Sequence, residues 1–267
     1  MPYWYLILLA AVQGITEFLP ISSSGHLILV PALTGLEDQG TFLDVAVHVG
    51  TLGAVLAYFR ADSMAALRGL GGLVLRRRGP EERLALALVI ATIPVILAGL
   101  VLELTLGTEW LRSVKVIAFT TLGYGALLWL VDRRGPKGLS LPDWGPARAL
   151  VLGLWQALAL LPGTSRSGIC MTGARAMGFD RPEAARIATL MSIPTILASG
   201  SFLAVEVWGE GDAQVWRDAG LAAAFSFVAA LIALALMMRF LRRHSFGVFV
   251  GYRMALGAFL LIWAYAL

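Results

Sequence analysis

Two short polar stretches, each set between apolar runs, constrain this chain more than anything else in it. The first is QGITEFLPISSSGH, Gln13 to His26, which places a carboxylate, three consecutive hydroxyls and an imidazole among hydrocarbon side chains. The second is LPGTSRSG, Leu161 to Gly168, which repeats the Leu-Pro, hydroxyl, glycine order of LPISSSG, Leu19 to Gly25, with one residue inserted and Arg166 added. An ionisable group at membrane depth is costly, so it marks a cavity, a partner or a site. Two such interruptions in opposite halves of one chain fit an internally repeated membrane protein with a polar site near the bilayer midplane.

Composition agrees with that setting. The 267 residues are 58% hydrophobic and 14% charged, with a mean hydropathy of +0.79, too apolar for a soluble globular domain. The net charge of +4 does not point to nucleic acid, because the arginines cluster in short segments between apolar runs, as in cytoplasmic membrane loops. With Cys170 as the single cysteine, no intrachain disulfide can form. MPYWYLILL lacks a basic n-region and a small-residue cleavage site, so no cleavable signal peptide is expected. Tyr3, Trp4, Tyr5, Trp129, Trp144 and Trp263 are expected at the membrane interfaces.

Taken in order, residues 1–36 are apolar but broken by Pro20 and the serines, which leaves two pieces too short for a core of about 30 Å. A re-entrant hairpin follows. Phe42 to Phe59 is a full span, with Asp44 and His48 at i, i+4 on one face. A basic loop from Arg60 to Arg83 is expected in the cytoplasm. Leu84 to Leu104, kinked at Pro94, and Val114 to Val131 are the next spans, closed by Asp132, Arg133, Arg134 and Lys137. Ala149 to Gly178 is the second broken segment. DRPE, Asp180 to Glu183, starts a helix with Asp180 as cap, and the span runs to about Val207. Glu206, Glu210, Asp212, Arg217 and Asp218 form an outside loop, and Leu221 to Met238 and Phe249 to Leu267 complete the set.

The expected fold is therefore an all-α polytopic membrane protein, one domain over 1–267, with six transmembrane helices and two re-entrant helical hairpins. The hairpins enter from opposite sides, in an inverted-topology repeat of approximately 1–135 and 145–267, with both termini outside.

Serines beside a histidine and a carboxylate supply a nucleophile and a base, and an arginine offers a fixed fork of donors to phosphate oxygens. Backbone N–H groups at broken helices also bind anions. The set suits phosphoryl transfer better than acyl transfer, since Arg166 has no role at a neutral carbonyl. No histidine or cysteine cluster has zinc spacing, and neither a GxxxxGK[ST] loop nor a GxGxxG fingerprint is present in a strand-helix context. Ser23 is the expected nucleophile, with His26 three residues on taking its proton and Glu17 orienting the imidazole or holding a metal; His26 as direct nucleophile is the competitor. A purely structural pair between Glu17 and Arg166 is the bland alternative, and Ser22, Ser24 and Ser167 could simply satisfy backbone groups.

QGITEFLPISSSGHL and LPGTSRSG resemble the two signatures of the undecaprenyl-diphosphatase family, the bacitracin-resistance membrane phosphatases. Gln13 and Glu17 match an (E/Q)xxxE motif, Ser23 and His26 the polar turn, and Ser165, Arg166 and Ser167 a PGxSRSxxT motif; SIPTILASG, Ser192 to Gly200, is also similar. The resemblance implies removal of one phosphate from undecaprenyl diphosphate in the bacterial cytoplasmic membrane, recycling the lipid carrier for cell-wall synthesis. It also implies a divalent cation, Mg or Ca, a site open to the outer face, and room for a homodimer. Glu17, Ser23, His26 and Arg166 become the catalytic candidates, and Gln13, Ser22, Ser24, Ser165 and Ser167 the substrate-binding ones. Cys170 stands where the motif has threonine, with Thr172 nearby. The alternative function is an inverted-repeat transporter or flippase of a lipid phosphate or another anion. Another class of membrane lipid phosphatase needs a second histidine shortly after SR, and SRSGICMTGARAMG has none.

The loop charges make a direct prediction. Single cysteines at Arg77 and Gly211, in a Cys170→Ser background, should react with a membrane-impermeant thiol reagent from opposite sides, Gly211 from outside. Labelling from one side alone sinks the inverted topology.

Overall fold

The computed structural model describes residues 3–35, 40–105, 113–206 and 213–266. Glu210, Gly211 and Asp212, placed above in an outside loop, lie outside the described residues. The described chain is helical: α1 (Tyr3–Thr16), α2 (Ser23–Thr34), α3 (Gly40–Tyr58), α4 (Arg60–Val74), α5 (Pro80–Thr105), α6 (Val114–Arg134), α7 (Pro146–Ala157), α8 (Arg166–Ala176), α9 (Arg181–Leu190), α10 (Ser192–Glu206), α11 (Ala213–Leu241) and α12 (Gly247–Ala266). Five of these, α3, α5, α6, α11 and α12, are long and apolar enough to cross a bilayer. The chain is a polytopic helical membrane protein.

Five expectations need correction. The span from Asp180 to Val207 is two helices, because Pro194 has no N–H and its ring collides with the carbonyl four residues back, at Leu190, where α9 ends. At that break Ser192 Oγ donates to Thr189 O at 2.5 Å. The basic loop after Phe59 contains α4, fastened to α5 by a bidentate Arg68–Glu81 pair. Arg217 and Asp218 belong to α11 rather than to a loop, and Gln214 Nε2 donates to Asp218 at 2.7 Å. Trp144 is not interfacial: a 3₁₀ turn over Leu141–Asp143, closed by a Ser140/Asp143 capping box, folds it into the core at 1% exposure. The Asp180 carboxylate also forgoes its own helix and accepts from Gly138 N.

Two broken segments remain where the sequence placed them. The α1–α2 pair turns at residues 17–22, and α7–α8 turns through a 3₁₀ stretch, Leu158–Leu160, and residues 161–165. At 1.5 Å per residue, α1, with 14 residues, is about 21 Å long and α8, with 11, about 17 Å, so neither reaches across the hydrocarbon. Each broken segment packs on a long helix of the other half, α1 on α11 and α7 on α5, while α6 and α12 pack on each other. Close approach depends on missing side chains. Gly50 of α3 lies against the Ala223 carbonyl of α11, and Gly153 of α7 against the Ala91 carbonyl beside Pro94. Ser226 Oγ of α11 then reaches Val47 O of α3 at 2.8 Å.

Gly50→Leu should overpack the α3–α11 seam and cost about 1–3 kcal/mol of stability. Gly220→Leu, on α11 where nothing lies within 4 Å, should cost little. Thermal unfolding in detergent, read side by side, separates the two.

Candidate active site

The two turns meet at one carboxylate. Glu17, at 7% exposure, accepts from Arg166 Nη2 on Oε1 at 2.9 Å, and on Oε2 from Ser23 Oγ at 2.6 Å and Gln13 Nε2 at 3.0 Å. Ser23 and Arg166 are the first residues of α2 and α8, so the positive ends of two helices converge on the width of one carboxylate. The second Arg166 arm donates to Ala188 O at 3.2 Å at the end of α9. From α3, His48 Nε2 lies 4.0 Å from Glu17 Oε2, its Nδ1–H being spent on Asp44 O at 2.7 Å.

The helix starts are built alike. Ser22 and Ser165 precede α2 and α8, both at positive φ, +75° and +70°, a conformation that β-carbon sterics make uncommon outside glycine. In each the hydroxyl accepts from the backbone N–H three residues on, Gly25 N at 3.3 Å and Gly168 N at 3.1 Å. These two serines therefore cap helices. Ser167 Oγ donates to Leu19 O at 2.9 Å and sits 3.2 Å from Ser165 Oγ, tying the second turn to the first. The side chain of Ser24 lies outside the described residues.

The expected contact between Ser23 and His26 is not formed. The 17–22 turn folds Glu17 back over the start of α2, so the Ser23 proton points at the carboxylate. His26 instead uses Nδ1–H to donate to Ser22 O at 2.6 Å, and the Tyr252 hydroxyl donates to Nε2 at 2.6 Å. Cys170, one helical turn beyond Arg166 on α8, is fully buried, and its Sγ donates to Gln156 Oε1 at 3.8 Å. Thr172 spends its hydroxyl on Gly168 O, in its own helix, at 2.7 Å.

One residue that sequence reasoning passed over holds both turns. Arg253 of α12, at 1% exposure, donates Nη1–H to Pro20 O and Thr164 O at 3.1 and 3.0 Å, Nη2–H to Gly163 O and Thr120 O at 3.0 and 3.5 Å, and Nε–H to Thr121 O at 3.1 Å. The threonines of α6 complete the work, Thr120 Oγ1 donating to Pro162 O at 2.5 Å and Thr121 Oγ1 to Gly163 O at 3.3 Å. A charge inside the last apolar run was the available signal.

Fold and centre together define a polytopic membrane protein with a buried polar site where two helix breaks meet. Within that class, the chain belongs to the family of the bacitracin resistance protein BacA, whose profile matches residues 6–259. It is 58% identical over 267 residues, all of both chains, to an undecaprenyl-diphosphatase of Ruegeria pomeroyi. It is 56% identical to one of a Jannaschia species, again over all of both chains, and 46% identical to one of Hahella chejuensis over 99% of each.

Replacing Arg253 by Leu strands the turn carbonyls in a dry interior. The expected loss exceeds about 2 kcal/mol, since bonds to charged donors are worth roughly 1.5–3 kcal/mol each. Thermal unfolding in detergent checks it, with Arg253→Lys recovering only part because an ammonium cannot span both turns.

Proposed function

We propose that this chain hydrolyses undecaprenyl diphosphate to undecaprenyl phosphate and inorganic phosphate in the bacterial cytoplasmic membrane. The carrying observation is that Ser23, Glu17 and Arg166 converge in a chain alignable end to end with undecaprenyl-diphosphatases. The proposal includes an inverted repeat of six spans and two re-entrant hairpins, with α9 and α10 as one interrupted span. Supporting it are the reciprocal packing of α1 on α11 and α7 on α5 and the twin positive-φ serine caps. With the arginine clusters at residues 76–78, 133–134 and 242–243 in the cytoplasm, the first hairpin enters from outside and the site opens to the outer face.

In the proposed chemistry Glu17 takes the Ser23 proton as Oγ attacks the terminal phosphorus. The P–O bond to the lipid phosphate breaks and undecaprenyl phosphate leaves. The guanidinium donors not used on Glu17 and Ala188, with the first N–H groups of α2 and α8, stabilise the charge gathering on the transferred phosphoryl group. Water then attacks the phosphorus of the phosphoserine, the P–Oγ bond breaks, inorganic phosphate leaves and the proton held on Glu17 returns to Ser23 Oγ, with His26 one helical turn beyond Ser23.

A Mg or Ca ion belongs to the same proposal. Glu17 and the amide oxygen of Gln13, buried and without a partner among the described residues, would hold it, and it would neutralise charge on the diphosphate. No group of three or more His, Cys, Asp or Glu among the described residues could hold a metal unaided. Diphosphate oxygens would supply the remaining ligands, as is common for Mg²⁺.

Two measurements test the assignment. Rapid quenching with substrate labelled in the terminal phosphate should trap an acid-stable phosphoenzyme that Ser23→Ala abolishes; an acid-labile adduct dependent on His26, or none, overturns the role of Ser23. Arg166→Lys should lower turnover roughly a hundredfold, because an ammonium cannot replace a two-pronged guanidinium contact. Turnover within about threefold of the parent reduces Arg166 to a bare charge.

A further inference from the structure

The break between α9 and α10 does more than divide one span into two helices, because one of the carbonyls it frees meets Arg166. The helical bonding of α9 ends with Met191 N donating to Ile187 O at 2.9 Å, and Pro194, lacking an N–H, keeps α10 from continuing the ladder. Carbonyls in the last turn of α9 therefore need donors from elsewhere. Ser192 Oγ answers Thr189 O at 2.5 Å from within the break. Ala188, fully buried, receives Arg166 Nη1–H from α8 at 3.2 Å. The other anchor of that side chain is Glu17 Oε1, 2.9 Å from Nη2. A planar guanidinium hung on one acceptor can swing about it, whereas acceptors on both Nη1 and Nη2 fix its plane. One N–H of each Nη is spent in this way, and Nε–H with the second N–H of each Nη stays available for phosphate oxygens. In an unbroken helix the Ala188 carbonyl would point along the axis to Ser192 N, four residues on, leaving Arg166 at most a side-on lone pair.

We propose that Pro194 is a positioning residue for Arg166: by ending the α9 ladder it frees Ala188 O to fix the guanidinium plane beside Glu17. The proposal rests on the hydrolysis assigned above and concerns how its arginine donors are aimed. Donors set in advance toward the oxygens where charge gathers need no reorientation at the transition state. Pro194 acts through one backbone carbonyl and needs no contact with substrate.

Pro194→Ala restores the N–H and favours a continuous helix. In purified protein with undecaprenyl diphosphate, it should lower kcat about tenfold, the effect of one lost charged hydrogen bond, and leave KM within about twofold. The unfolding temperature in detergent should hold or rise, because a better helix former replaces a helix breaker. A proline needed only for folding would instead lower stability and rate together, and that result overturns the proposal. In an Arg166→Lys background, with no guanidinium plane to orient, Pro194→Ala should change kcat by less than about twofold. Full kcat in Pro194→Ala, or an equal loss in both backgrounds, also overturns it. A further readout needs no substrate: in ¹⁵N spectra of arginine-labelled protein, the Arg166 Nη1 signal, identified by its loss in Arg166→Lys, should shift in Pro194→Ala while Nη2 keeps its contact with Glu17. Unchanged Arg166 signals overturn the assignment. A protein whose Arg166 signals respond as expected but whose parent releases no phosphate counts against the hydrolysis instead.

Discussion

Backbone carbonyls at bilayer depth must be answered from within the protein, and the rest of this structure follows from how the two turns meet that demand. Breaking a helix inside a protein interior exposes oxygens that water would otherwise take. Here Leu19 is answered by Ser167, Pro20 by Arg253, Pro162 by Thr120, Gly163 by Thr121 and Arg253, and Thr164 by Arg253. An arginine surrounded by carbonyl dipoles is itself tolerable in the dry interior, since its N–H groups all find acceptors. The carbonyls of both turns are thereby satisfied from within the protein.

Glu17 is the complementary element. A lone carboxylate at this depth would be costly, but three donors from α1, α2 and α8 meet its two oxygens. The ion pair linking Glu17 to Arg166 is structural, and under the proposed hydrolysis it also sets the carboxylate against the Ser23 hydroxyl. Treating the structural pair and the functional site as rival explanations therefore separates two descriptions of one arrangement.

Much of the architecture was legible because the signals were local. Pro20 and the serines mark the first break, Pro162 and Thr164 to Ser167 the second, and apolar length marks α3, α5, α6, α11 and α12. Pro194 was equally visible, and its consequence at Leu190 could have been read from the missing N–H. Other features were not written in any single stretch. A helix such as α4 and a basic loop share a composition, and only packing on α5 distinguishes them. The acceptor of Ser23 depends on how residues 17–22 turn, since spacing alone puts both Glu17 and His26 within reach. Arg253 offered a charge but not its partners, because backbone carbonyls belong to every residue and leave no mark in a sequence.

The position of Arg253 also orders the biogenesis of the protein. It lies on α12, which is synthesised after α1 to α11, whereas the carbonyls it binds belong to residues 20, 163 and 164 and to α6. Until α12 inserts, the nascent chain carries both turns with their oxygens only partly answered, so membrane insertion and site assembly must be separate events. A nascent chain stalled before α12 is thus a natural substrate for membrane quality control, however well its earlier helices have inserted.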